Sequence, residues 1–245
     1  MLNAYNLSKS FGALKVIRGV SFHLNKGARH ALIGPNGAGK TTIFNLLSGE
    51  LPPDSGSIAL GGKDITSHDR HKRVQAGIAR SFQRNNLFEE MSVLNNIFLA
   101  LLGRRGPVPN LWRMLESETV LREKAIAVAA EVGLGDILEQ SVGDLSYGSQ
   151  RQLELGLVLA LSPKVMLLDE PTAGMSLGER TLMLSIIENL SEELALLIIE
   201  HDMDAVFQIS NWMTVLDEGE ILFEGTPDDV RKSEEVQSKY FSERG

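Results

Sequence analysis

The 245-residue chain contains no cysteine. That excludes a disulfide framework, thiolate metal sites and cysteine nucleophiles, and it suits a reducing compartment. Long apolar runs are also missing. No stretch approaches the roughly 18 residues that a membrane-crossing helix requires, and the longest candidates, Ile97–Leu102 and Leu194–Ile199, are of core size. Met1–Ser10 is too polar for a targeting segment and reads as a strand and turn. There is no basic excess: 24 Lys and Arg stand against 32 Asp and Glu, a formal charge of −8. Such a balance disfavours non-specific binding to nucleic acid or to anionic lipid. A nucleotide remains compatible with it, because phosphate can be held locally by backbone N–H groups and one lysine. Repeats and low-complexity tracts are lacking too. With 43% hydrophobic and 23% charged residues, the chain can build the core of one large α/β domain without metal or disulfide staples.

Short apolar runs alternate with longer helical patterns, the order expected of a mostly parallel sheet covered by helices. Ala28–Ile33 reads as a buried strand, Gly34–Gly39 as a glycine-rich loop and Thr41–Ser48 as a helix stopped by Gly49. Ser57–Leu60 is a further strand. From Asn86 to Ser162 the pattern is helical, with a proline-containing loop at Gly103–Asn110 and a long amphipathic stretch at Leu111–Val132. This region, 86–162, is expected to be a helical subdomain inserted into a single domain spanning 1–245. Val165–Leu168 and Leu194–Ile199 are apolar strands that end abruptly at Asp169-Glu170 and Glu200-His201-Asp202. Thr214–Gly225 reads as two short strands about the turn Asp217-Glu218-Gly219, with a short C-terminal helix within 226–245. In open parallel sheets ligands bind beyond the carboxyl ends of strands. Three strands therefore deliver a phosphate loop, two carboxylates and a histidine to one edge.

Gly34-Pro35-Asn36-Gly37-Ala38-Gly39-Lys40-Thr41 fits G-x-x-x-x-G-K-[ST] in full. Its glycines let successive N–H groups turn inward around phosphate, and the helix that follows adds its positive end. Lys40 supplies a charge for the β- and γ-phosphates, the Thr41 hydroxyl is placed to hold Mg²⁺, and Thr42 can donate to the α-phosphate. Adjacent residues at a strand end point to opposite faces, so Asp169 and Glu170 are expected to find different partners. Asp169 would support Mg²⁺ and Glu170 would act as general base toward the attacking water.

Leu145-Ser146-Tyr147-Gly148-Ser149-Gln150-Arg151, just before the carboxylate strand, resembles the signature motif LSGGQ of ABC transporter ATPases. Ser146 can cap the following helix, and the exposed N–H groups there would meet a γ-phosphate. Tyr147 and Ser149 depart from the motif; Ser146 and Gly148 keep it. Gln83, in Ser81-Phe82-Gln83, matches that family's glutamine loop and His201 its switch histidine. Phe11 matches the aromatic that stacks on adenine, with Val16 lining the same ring, and Ser176 stands where the family's linking loop carries aspartate. The features occur in the family's order over essentially the entire chain.

The resemblance implies a P-loop NTPase (RecA-like) α/β fold with a mostly parallel sheet, an N-terminal antiparallel β part and the helical insert. It implies ATP and Mg²⁺ as ligands, with the nucleotide bound by Phe11, Val16, Gly34, Pro35, Asn36, Gly37, Ala38, Gly39, Lys40, Thr41 and Thr42, and by Ser146 and Gly148 across a dimer. Thr41, Gln83 and Asp169 would serve the metal, and Glu170, His201, Lys40 and Gln83 the hydrolysis. Its expected partners are a second, identical or homologous ATP-binding subunit in a head-to-tail dimer, transmembrane permease subunits and, indirectly, a solute-binding protein, with no nucleic acid. The chain would then sit peripherally on the cytoplasmic face of a bacterial or archaeal membrane.

Leu-Ser-Tyr-Gly around Tyr147, Leu153-Glu154-Leu155, Glu170-Pro171-Thr172-Ala173-Gly174-Met175 and Ser238-Lys239-Tyr240-Phe241 are similar to the branched-chain (hydrophobic) amino acid importer group. Urea and short-amide importers share much of this pattern and stay open as alternatives. A soluble, non-transport ABC ATPase is the alternative of another class. The short insert lacks the sustained heptads of DNA-repair members, and the chain carries one cassette where ribosome-type members carry two. A nucleotide kinase would leave the signature and His201 unexplained.

Overall fold

Leu2, Ala4 and Leu7 in β1 (Leu2–Phe11) and Ile17, Val20, Phe22 and Leu24 in β2 (Leu14–Leu24) are buried, while the residues between them are partly or fully exposed. That alternation gives an antiparallel pair one face for a core and one for water. The computed structural model describes residues 1–81, 87–103 and 111–241, with side chains described outside 111–117 and 240–241. Two units emerge: one takes 1–80, 164–170 and 191–245, the other 81–163 and 171–190.

The first unit holds two sheets. An antiparallel one runs in the order β2-β1-β4-β5, with β4 at Ser55–Leu60 and β5 at Lys63–Asp64. The other has six strands in the order β10-β9-β3-β8-β7-β6. Its strands β3 (Arg29–Ile33), β6 (Ile78–Arg80), β7 (Val165–Asp169), β8 (Ala195–Ile199) and β9 (Trp212–Asp217) pair in parallel, and β10 (Glu220–Gly225) closes the edge antiparallel to β9. Every residue of β8 is buried. This is why the sequence there is a continuous apolar run and not an alternation: helices cover both faces of such strands.

Between β3 and β4 lies α1 (Lys40–Ser48), which buries Ile43, Phe44, Leu46 and Leu47. It begins one residue before the sequence suggested and stops where expected, at Gly49 in the left-handed conformation. This unit also holds α2 (Arg70–Ala76), α7 (Met203–Ile209), α8 (Pro227–Lys232) and the one-turn α9 (Glu234–Val236), and a π-type turn spans Gln237–Phe241.

The second unit is helical: α3 (Val93–Gly103), α4 (Leu111–Glu131), α5 (Tyr147–Ala160) and α6 (Leu177–Glu188). Leu121, Ala125, Ala129 and Val132 are buried at spacings of four, four and three, which is one face of a helix. The Gln152 side chain in α5 donates 2.9 Å to the carbonyl of Val132 and ties the end of α4 to α5. The sequence reading put the helical region at 86–162; the unit here also takes in 171–190 and with it α6. Among the described residues no helix is long and apolar enough to cross a membrane.

Candidate nucleotide-binding site

Strand register brings the three motif-bearing ends together. Ala31 of β3 sits opposite Ile198 of β8, and Asp169 of β7 opposite Ile199. Counting on from these pairs, Gly34, Glu170 and His201 leave the sheet within about one residue of the same level. The phosphate loop, the acid pair and the histidine thus share the carboxyl edge of one sheet, where such folds bind ligands.

The phosphate loop folds around its own lysine. Lys40 is buried, and its ammonium donates to the carbonyls of Gly34 at 2.8 Å and Pro35 at 2.9 Å. A buried cation needs such partners. Those two bonds also fix the loop's arc, with Ala38 N–H returning 3.2 Å to the Pro35 carbonyl. Gly39, the N-cap of α1, has φ 106°. A side chain there is barred twice, since a Cβ would stand 2.6 Å from Ile17 Cδ1 and 3.1 Å from the Val16 carbonyl. Val16 and the phosphate loop are therefore neighbours. Gly219 strengthens that link, donating 3.1 Å to the Ala38 carbonyl and accepting 2.9 Å from Arg18 N–H. Phe11 ends β1 with its ring half exposed and with Lys9 Nζ 5.9 Å from the ring centroid. A cleft of about 720 Å³ opens beside Pro35–Ala38, walled by Asp217, Glu218, Ser238 and Lys239.

The two acids do have different partners. Asp169 Oδ2 meets Arg80 at 2.7 Å, with the side chains 4% and 8% exposed. Arg80 reaches on to Asn45 Oδ1 at 2.5 Å and Glu50 at 3.3 Å, so one guanidinium joins β6, α1 and β7. Glu170 faces His201, with Oε1 to Nε2 at 2.9 Å and both side chains about 40% exposed. The Glu170 backbone is left-handed, φ 49°, a conformation that strains a residue with a side chain by roughly 1–2 kcal/mol. It is held there by its N–H donating 2.8 Å to the Ile199 carbonyl. Strain of this kind aims a side chain that regular β geometry would send elsewhere. His201 is fixed from behind, its N–H donating 2.9 Å to the buried Glu200 carboxylate. Asp202 then caps α7 by accepting from Ala205 N–H at 3.0 Å.

In the helical unit Ser146 caps α5, accepting from Ser149 N–H at 3.2 Å. The departure at Tyr147 is structural: its hydroxyl donates 3.1 Å to the Ala173 carbonyl and accepts 2.8 Å from Arg151, whose guanidinium lies 5.1 Å from the ring centroid. Ser176 has a role as well. It caps α6 in a reciprocal box with Glu179.

Gln83 lies outside the described residues. Thr41 and Thr42 stand in the first turn of α1, as the motif requires. No cluster of three or more His, Asp or Glu that could hold a metal occurs among the described residues. Thr41 and Asp169 fit a cation that keeps most of its other ligands on phosphate and water, which is how magnesium binds nucleotides. Sequence reasoning passed over Arg80, Glu200 and Glu179. The Ser176-x-x-Glu179 spacing was the available signal for the last. Arg80 left only a charge at the end of a short apolar strand.

The fold and this edge define a P-loop nucleotide-binding cassette. The family model described as ABC transporter matches residues 17–173, and the chain belongs to the ABC transporter ATPases, which hydrolyse ATP to drive transport. It is 35% identical, over 99% of its length and 98% of the relative's, to the high-affinity branched-chain amino acid transport ATP-binding protein BraF of Pseudomonas aeruginosa. It is 32% identical to LivG of Escherichia coli K12, of the same description, over 99% and 98%. An ATP-binding cassette of an ABC transporter, solved in its ADP conformation, superposes with a TM-score of 0.83 at 30% identity, covering 98% of both chains. A dimeric bacterial ABC transporter cassette shares the fold, with a TM-score of 0.77 at 20% identity over 93% of this chain and 99% of that one.

Proposed function

We propose that residues 1–245 form one nucleotide-binding domain that powers an importer of branched-chain amino acids, working in a pair with an identical or homologous subunit. The observation that carries the chemistry is the Glu170–His201 contact of 2.9 Å at the sheet edge that also bears the Lys40 loop. Phe11 and Val16 take the adenine, Gly34–Gly39 with Thr42 the phosphate chain, and Lys40 the β- and γ-phosphates. Thr41, Asp169 and Gln83 hold Mg²⁺, which when bound neutralises charge on the phosphate oxygens. Arg80 orients the Asp169 carboxylate. Glu170 accepts the proton of the attacking water, and His201 holds Glu170 in place and reaches the γ-phosphate.

Ser146 and Gly148 contact the γ-phosphate of ATP bound to the other subunit. Likeness in fold to a cassette solved as a dimer supports the pairing itself. Two ATP molecules then join the pair, hydrolysis removes the bridging charge, and the pair opens. Permease subunits would receive this motion at the membrane's cytoplasmic face, with a solute-binding protein supplying the solute. The branched-chain assignment rests on relatives of that description matching nearly the whole chain.

Glu170→Gln should keep ATP binding, lower turnover by about 10²–10⁴-fold, and accumulate a two-chain species with ATP by light scattering. Near-normal turnover would remove Glu170 from the base role. For the solute, cells lacking the gene should lose leucine, isoleucine and valine uptake and keep urea uptake. The reverse pattern would favour the amide rival.

A further inference from the structure

Two donors at the start of α5 converge on a single oxygen. Glu179 Oε1 accepts from Ser146 Oγ–H at 3.1 Å and from Gly148 N–H at 3.0 Å. Its other oxygen accepts from Ser176 Oγ–H at 2.7 Å and Ser176 N–H at 3.0 Å. Hydrogen bonds from the Ser176 hydroxyl and N–H, then from Gly148 N–H, draw the Glu179 carboxyl down to about 2, so it is an anion at any working pH. The approach demands a residue without a side chain at 148. A Cβ there would stand 2.5 Å from Oε1 and 2.6 Å from Cδ and Cγ.

An anionic oxygen held by a capping hydroxyl and an N–H at a helix start is what such an end favours. The hydroxyl of Ser146 and the N–H of Gly148 carry one hydrogen each. Neither can serve two anionic oxygens at full strength. These are the same two groups assigned above to the γ-phosphate of the other subunit's ATP, and the following inference rests on that assignment. We propose that Glu179 is a positioning residue that holds the Ser146 and Gly148 donors as an internal oxyanion and must hand them to the γ-phosphate when the pair closes. The geometry permits the exchange. Oε1 can leave while Oε2 stays on Ser176, so α6 keeps its cap. Glu179 thereby orients the signature helix in advance and raises the ATP concentration needed for closure.

The test uses the full chain carrying Glu170→Gln, which holds the closed pair, and follows pairing by light scattering during an ATP titration. Glu179→Gln removes the charge and replaces one of the two accepting oxygens by an NH2 group, which donates and cannot accept. Glu179→Asp keeps the charge and the Ser176 cap but shortens the reach to Gly148. Either change should lower the half-saturating ATP concentration by roughly five- to tenfold, in line with a lost charge-assisted bond. A residue that merely braced α6 would move the midpoint upward and lower the melting temperature. An unchanged or raised midpoint in folded Glu179→Gln and Glu179→Asp chains overturns the proposal and leaves the shared site standing. If the Glu170→Gln parent itself fails to pair with ATP, the shared site falls first and the exchange with it.

Discussion

Replacing Arg80 by methionine should strand the Asp169 carboxylate. The guanidinium lies 2.7 Å from Oδ2, with the two side chains only 8% and 4% exposed. Methionine keeps much of the apolar body that Arg80 lays against Phe44, where its guanidinium sits 5.6 Å from the ring centroid, but it removes the charge. Breaking a buried pair from one side costs about 3–5 kcal/mol. The penalty at pH 7 is therefore expected in that range. Urea unfolding at pH 7, in a Trp112→Phe background so that Trp212 on β9 reports on the same unit, measures it. The double variant Arg80→Met with Asp169→Asn should recover most of the loss. A penalty below about 1 kcal/mol would show that the pair does not bear on stability and that Asp169 is held in place by other contacts.

Ser146→Ala and Lys40→Ala chains should each be inactive alone, and an equal mixture should regain one working site in each mixed pair, roughly half of all pairs formed at random, in an ATPase assay. No recovery would argue against a site shared between subunits. His30 predicts a pH effect on stability. It is 2% exposed, and its Nε2 lies 2.7 Å from Thr214 Oγ1. The Thr214 hydroxyl donates 2.6 Å to Glu224, so Nε2 carries a proton and donates to the hydroxyl oxygen. Burial, then the neighbouring His23, push its pKa down to about 4. The unfolded chain thus takes up the proton first. Stability from this residue is complete above about pH 6.5 and falls by up to about 3 kcal/mol as pH drops toward 4. In parallel urea titrations of the native chain and His30→Gln, the difference should change by that amount over this window; parallel curves would refute it.

Features with local causes were legible in the sequence. The Lys40 loop, its helix and the Gly49 stop depend on neighbours within one or two turns, and strand β8 announced itself by its unbroken Leu-Leu-Ile-Ile. Asp169 and Glu170 were expected to find different partners and they do, but the left-handed backbone at Glu170, just past the strand, aims the second of them. What could not be read were partners distant in sequence. Arg80 is 89 residues from Asp169, and Glu179 is 31 from Gly148; no periodicity links them. The segment 171–190 lay outside the expected helical region and joins it here, because a helix pattern does not state which neighbours it will join. The left-handed turn at Glu170 was also hidden, since nothing about a glutamate signals positive φ.

Tyr147 makes this signature hard to transplant. A donor cassette with a small residue at that place would arrive without the phenol that holds both the Ala173 carbonyl and the Arg151 guanidinium. Hybrid cassettes cut between residues 145 and 179 would separate parts that are fitted to one another. Exchanging the stretch as an uninterrupted block carries the lock along with its key.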